Sequence, residues 1–481
     1  MEGTYIMKNW TKIIVCCLMT GVIVFTSGCS EKYDGEFNLK TDYQYTYDNN
    51  ITSWRKVQSD SDGKYIYKKG YIYYYNNKTK TMTPLCNKPN CLHDMETDQN
   101  RLLDCNACTS PFGLRDDEFI QYYDGYVYYV YEDSLYRIKK DGSKKDKIFT
   151  ADDGLYINSW IIHKGYLYYE TISFSSGEGE STVVYAEAKL KSLKLSSNMS
   201  EKKAKVIYVN DDDNYKDGHI YSVKAYKNYL CYNVQGLVSD PESDTGNKVH
   251  DKMYLYNIET EENKEIPVPQ GCDENTDVGR VAFLEDRILI ELIGDDSNDS
   301  NDSDDSARSL LSSFKNKMPV YSLNYDLTDE KVLLDGVEQG KMMYTYGDYV
   351  IFSDAMIQYW GLYTDVAEEK IAAGDSEIVS NEDTDEGMSK LITNLEIYSS
   401  DGKFISSVVY PMNIQGGFSG FGPDGVNIEF QENEDGNSWS VYAFDFEDAL
   451  KLKSGETIEV ECLNTRKYGP LKDLDSFVTE N

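Results

Sequence analysis

The sequence predicts an all-β fold: a β-propeller of about seven four-stranded blades, carrying short helical and acidic loop insertions. Three observations predict it. A short Tyr-rich strand motif recurs along the chain. Hydrophobicity inside the motif alternates with period two rather than 3.6, which is sheet and not helix. The copies are mostly 40 to 63 residues apart, with strands and turns between them, which is a propeller-like period. One four-stranded blade cannot bury both of its faces. Blades arranged radially cover each other and leave only short edges.

The first element is a targeting segment. Lys8 and Lys12 precede an apolar run, Ile13 to Phe25, which has the length of a signal-peptide core and is short for a membrane span. It ends in "TSGCS", small residues directly before a cysteine. This resembles a bacterial lipoprotein signal, with Thr26 standing where such signals usually carry Leu. Residues 1–28 are therefore expected to be a signal peptide, with Cys29 lipidated. The polar stretch 29–50 is expected to be a flexible tether, and 51–470 the propeller. That places the propeller outside the cytoplasm, lipid-anchored to the cell membrane.

Charge limits the partners. The chain holds 83 Asp and Glu against 48 Lys and Arg, a net charge of −35. Loss of residues 1–28 would remove Lys8, Lys12 and Glu2 and leave the remainder one charge more acidic. Nucleic acid and anionic headgroups repel such a surface, so nucleic-acid binding is excluded.

The strand motif follows in order. It reads "GYIYYYN" from Gly70, "GYVYYVY" from Gly125 and "GYLYYET" from Gly165. Looser copies are "NYLCYNV" from Asn228, "DRILIEL" from Asp286, "DYVIFSD" from Asp348 and "GVNIEFQ" from Gly425. Most copies precede a second strand of the "LYRIKKDG" type. The 42 tyrosines suit the scheme. A Tyr ring fills space between sheets while its hydroxyl reaches a polar partner. Two insertions are expected: residues 294–317, an acidic Asn/Asp/Ser tract, and residues 363–387, with a helical start. The first lacks the central Gly and closing Glu of an EF-hand loop and reads as a solvated loop. "FDFEDALKLKSG" reads as one more short helix. Ring closure is expected to pair the strand near "SWRKVQSD" with "TIEVECL".

The unit "DGYVYYVYEDSLYRIKKDGSKKDKIF" (Asp124 to Phe149) and the segment "PLCNKPNCLHD…CNA" together resemble a family of clostridial-type surface lipoproteins. Members carry a β-propeller domain likened to that of the prolow-density-lipoprotein receptor. The resemblance implies a propeller at the outer surface and implies no established activity.

Residues 84–110 form a cysteine-rich loop after the first blade. Cys86, Cys91, Cys105 and Cys108 fall within it, with His93 among them. Zinc is one reading, because thiolate and imidazole suit a tetrahedral site and "CNAC" supplies a Cys-x₂-Cys pair. Disulfides are the other, because thiols outside the cytoplasm usually oxidise. Four cysteines allow three pairings and the spacing does not choose. Either way the cluster reads as a structural clasp. Of the remaining cysteines, Cys231 lies in a strand and reads as core.

The motifs favour a binding module over an enzyme. Only four histidines occur: His93, His163, His219 and His250. No Gly-x-Ser-x-Gly elbow, His-Glu-x-x-His or phosphate loop is present. The leading reading is a lipid-anchored propeller that binds a glycan, peptide or partner protein. The alternative is a hydrolase or lyase acting on polysaccharide from the propeller channel. Trp360, in "MIQYWGLY" beside an insertion, is the candidate ligand-stacking residue; its structural reading is packing at a strand end.

Overall fold

A computed structural model describes residues 57–467, apart from 103, 111–119, 153, 173–188, 210–215, 240–246, 273–275, 295–313, 374–386, 388–389, 412–419, 422–425 and 433–437. The expected signal peptide, Cys29, the tether and Trp54 lie outside the described residues, as does the side chain of His250.

Seven four-stranded antiparallel sheets follow one another along the chain, and each is a meander of four consecutive strands. They span 57–84, 120–150, 156–209, 216–265, 276–338, 342–410 and 420–467, here blades 1 to 7. First strands touch one another between blades 1 and 2, 2 and 3, 3 and 4, and 5 and 6, which sets them innermost. Among the described residues no helix is long and apolar enough to cross a membrane.

The repeat has a local cause. In "DG" at 124–125 both residues have positive φ, 45° and 79°. That is the turn whose twist matches two flanking antiparallel strands. The motif strand follows as Tyr126–Tyr131, paired on one side with Ile120–Tyr123 and on the other with Ser134–Lys139. In blades 2 to 7 the motif is the second strand. In blade 1 it is the third, Tyr71–Asn76, because the short strand Val57–Ser59 sits inside it.

The tyrosines pack as expected. Tyr65, Tyr129, Tyr169 and Tyr232 are almost completely buried. The Tyr65 hydroxyl donates to Asp60 Oδ2 (2.8 Å) and the Tyr169 hydroxyl to Glu201 Oε2 (2.7 Å). Burial pushes both phenols up, reinforced by those carboxylates. Cys231 is buried between blades 4 and 5.

Successive inner strands are also stitched by buried or half-buried polar side chains. Gln58 of blade 1 accepts from Tyr122 N (3.4 Å) of blade 2. Gln121 of blade 2 grips Ile162 of blade 3 with both ends of its amide, at 2.5 Å to the carbonyl and 2.7 Å from the N–H. Ser159 of blade 3 donates to Ile220 O (2.8 Å) of blade 4. Lys224 of blade 4 donates to Val281 O (3.1 Å) of blade 5. Arg280 of blade 5 donates to Lys341 O (2.7 Å) at the entry to blade 6. At Ile162, Ile220 and Val281 the partner satisfies a backbone group of a buried residue, which left unpaired would cost about 1–3 kcal/mol.

Three expectations need correction. The strand containing Val57–Ser59 pairs with Gly63–Lys68 of its own blade, and Glu461–Lys467 pairs with Ser438–Asp445 of its own blade. Among the described residues these two strands therefore do not share a sheet; Thr457 instead bridges to Val409 of blade 6. The second insertion begins earlier than 363, as helix Ala355–Ala373, because Asp354 and Ser353 already turn the chain out of the second strand of blade 6. Trp360 is consequently in mid-helix and not at a strand end. The short helix near "FDFEDALKLKSG" is present as Phe446–Ala449, capped by Asp445 Oδ1 accepting from Glu447 N (2.8 Å).

Candidate metal centre and binding groove

The cysteine loop leaves blade 1 at Pro84 and returns along the same blade. Leu85 N donates to Ile72 O (2.8 Å), while Ile72 N donates to Ala107 O (2.9 Å) and Thr109 N to Gly70 O (2.8 Å). The loop thus occupies the strand edge beyond the end of Thr81–Pro84. Leu85, Leu102, Cys105, Ala107 and Cys108 are buried in one core with residues of blades 1, 2 and 7.

Four donor atoms converge there: Cys86 Sγ, Cys91 Sγ, a ring nitrogen of His93 and Cys105 Sγ all lie within 4.8 Å of one another. Cys105 Sγ is 3.7 Å from His93 Nδ1. A tetrahedral zinc centre, with Zn–S about 2.3 Å and Zn–N about 2.0–2.1 Å, sets its donors roughly 3.5–3.8 Å apart. The donor set and its spacing therefore fit a Cys₃His metal centre. Cys108 is not in the group; its Sγ points to Ser110 O (3.0 Å), so "CNAC" does not act as a pair. The described cysteines are all free thiols.

Local conformation sets this geometry. His93 has φ +54°, a left-handed conformation that swings its ring toward the thiols. Burial opposes ionisation of Cys86, yet the backbone N–H groups of Lys88 and Asn106 and the thiols of Cys105 and Cys91 outweigh it and hold its pKa down. Burial pushes the Cys105 thiol up, reinforced by Cys86. Burial lowers His93, against Asp94 and with Arg466. A thiol eased toward ionisation by backbone donors, beside an imidazole shifted toward its neutral form, suits a metal ligand set, whose thiols must lose their protons.

Blade 2 supports the loop from one side. Lys145 Nζ donates to the carbonyls of Cys105 (2.7 Å) and Cys108 (3.0 Å), and Asn106 Nδ2 to Gly142 O (2.7 Å). Gly142 has φ +70°, and a Cβ there would stand 2.8 Å from Cys86 N. Blade 7 supports it from the other. Arg466 Nη2 pairs with Asp94 Oδ2 at 2.6 Å, Arg466 Nη1 donates to Met82 O (3.3 Å), and the guanidinium lies over the Tyr73 ring at 4.8 Å. Tyr73 OH donates to Asp94 Oδ2 (3.2 Å) and its ring meets Trp439 edge-on. Asp94 is in the quoted stretch, but only its position after His93 marked it; nothing in "NTRKYG" marked Arg466.

A separate groove of about 890 Å³ lies between blades 5 and 6. It is lined at the turns on one face of the ring by Glu285 and Asp286, Asp348 and Tyr349, Ser399 and Ser400, and Lys403 to Ile405. Phe404 and Ile405 are large apolar side chains left 48% and 40% exposed. Lys227 pairs with Glu285 at one rim (3.2 Å), and Lys403 is the one basic residue of the lining. No local pattern marks this groove, because it is made where separate blades meet.

The remaining candidates are scattered. His163 is buried, its Nε2–H donating to Lys227 O (2.7 Å), and burial lowers it to about 4. His219 is likewise lowered to about 4 by burial. Trp360 packs its ring against Tyr359 and Tyr363. Its helix leaves the second strand of blade 6 at the end opposite Asp348, so Trp360 and the groove are on opposite faces.

No family model matches the chain, and no curated protein matches it. Solved structures do. A tricorn protease is 8% identical with a TM-score of 0.42, over 89% of this chain and 36% of that one. Prolyl endopeptidases are 9% identical with a TM-score of 0.44, over 92% and 52%. Porphyromonas gingivalis dipeptidyl peptidase 4 is 10% identical with a TM-score of 0.38, over 89% and 61%. The chain spans less than two thirds of each. Identity this low carries nothing about activity.

Proposed function

We propose that this chain is a lipid-anchored, extracytoplasmic binding propeller whose recognition surface is the groove between blades 5 and 6. Its ligand is a peptide segment that carries basic and apolar side chains. The observation that carries this reading is the lining itself. Three carboxylates, Glu285, Asp286 and Asp348, stand beside an apolar ledge of Tyr349, Phe404 and Ile405. The volume is in the ordinary range for a ligand site, about 300–1,000 Å³. A net-acidic chain also draws cationic partners in from a distance. Lipidation at Cys29 would hold the disc at the membrane surface, on the tether 29–50.

The test is titration of short fluorescent peptides, Lys/Arg–Leu and Glu–Leu, with the purified chain at two salt concentrations. Binding of the cationic series alone, weakened by salt and at least tenfold weaker in Asp348→Asn, supports the proposal. Equal binding of both series, binding of polysaccharide only, or release of cleaved product would overturn it; the last would favour a hydrolase.

A further inference from the structure

We propose that Cys86, Cys91, His93 and Cys105 hold one zinc ion, and that this ion closes the propeller ring. The inference is independent of the groove. Among the described residues, blades 7 and 1 are each complete in their own four strands and share none. Blade 7 packs directly on blade 1 through Trp439 and Tyr73, and the cysteine loop adds a polar link across the same junction. Its Asp94 takes Arg466, from the last strand of blade 7, at 2.6 Å. The same Arg466 reaches Met82 O on the fourth strand of blade 1.

Asp94 directly follows His93, so the residue that supplies the imidazole also fixes the carboxylate. Three of the four donors, Cys86, Cys91 and Cys105, are on other turns of the loop, and the loop has little secondary structure of its own beyond the helical turns His93–Met95 and Gln99–Leu102. A metal held by all four ties those turns to one point and so holds Asp94 toward Arg466. The set is chemically a zinc set: soft thiolates and one imidazole, spaced for a tetrahedron. Three thiolates with zinc leave one negative charge, and Lys145 is lodged against the backbone of two of the loop's cysteines to offset it.

The experiment uses the full chain purified without oxygen and without added reductant. Native mass spectrometry reads the metal, and hydrogen exchange with and without a zinc chelator reads closure. The expected result is one zinc per chain, lost on denaturation. Its removal should speed exchange about tenfold or more in Glu461–Lys467, the strand farthest along the chain from the ligands. In Arg466→Met, zinc should still bind, but its removal should change exchange in that strand little. Loss of two hydrogens with no metal would overturn the site. Zinc whose removal changes exchange only within 84–110 would overturn the closure. The wild-type comparison decides this even if the variant does not fold.

Discussion

The junctions among blades 1 to 6 and the junction between blades 7 and 1 solve the same problem with different chemistry. In the first group, a neutral or basic side chain on an inner strand reaches the backbone at or just before the next inner strand: Gln58, Gln121, Ser159, Lys224, Arg280. Each spans neighbours that are already consecutive in the chain, so little loop-closure entropy opposes it. The 7–1 junction must join segments 372 residues apart. It uses an outer strand, a mostly buried ion pair, a cation–π contact and the cysteine loop. A ring without a shared closing sheet concentrates its strongest polar chemistry where chain connectivity gives no help.

That contrast can be broken at its strong end first. Arg466→Met should leave Asp94 buried beside Tyr73 without its cation, at a cost of about 3 kcal/mol. Denaturant unfolding should show it, and adding Asp94→Asn should recover part of the loss. Gln121→Ala, at a regular junction, should cost about 2 kcal/mol by stranding both backbone groups of Ile162. Gly142→Ala sharpens the comparison from the blade 2 side. Its positive φ and the approach of Cys86 should cost about 1–2 kcal/mol, with weaker metal retention as the separate readout.

The 3–4 junction adds a pH test of the regular kind. Glu170 is buried, accepting from Asn158 Nδ2 (2.8 Å) and Ile220 N (2.5 Å), and burial raises it to about 8 against those hydrogen bonds. A carboxyl raised in the fold stabilises the folded state fully below its unfolded value. That contribution is lost as pH rises from about 4.5 to about 8. His163 runs the other way. Lowered to about 4, it favours the fold above its ordinary 6.5, and that contribution is lost as pH falls toward 4. Melting temperature against pH should fall on both sides for the native chain. Glu170→Gln should flatten the alkaline side alone, leaving the acid side unchanged.

Much of this was legible in the residues. Period-two alternation after "DG" marked the motif strands, and the turn chemistry explains why: Asp124 and Gly125 both take positive φ. The convergence of Cys86, Cys91, His93 and Cys105 was legible because such residues rarely crowd a loop by chance. What was hidden is tertiary. Cys108 sits at ligand spacing, yet the chain turns its sulfur to Ser110 O once Thr109 is bound to Gly70. Arg466 and Asp94 meet only when the ring is complete, so no local pattern could pair them. Closure by a shared sheet was the wrong expectation because blade 1 gains its fourth strand from Val57–Ser59, within its own sequence. Trp360 read as a strand-end residue because the helix starts immediately after Asp354, with no Gly or Pro to mark the change.

The most direct test of the central claim is a crystal of the full chain with diffraction recorded on both sides of the zinc absorption edge. The account predicts one anomalous peak among Cys86 Sγ, Cys91 Sγ, His93 and Cys105 Sγ, with Asp94 paired to Arg466 across the 7–1 junction. A sulfur–sulfur bond between any two of those cysteines, or a first and last strand hydrogen-bonded in one sheet, would contradict it.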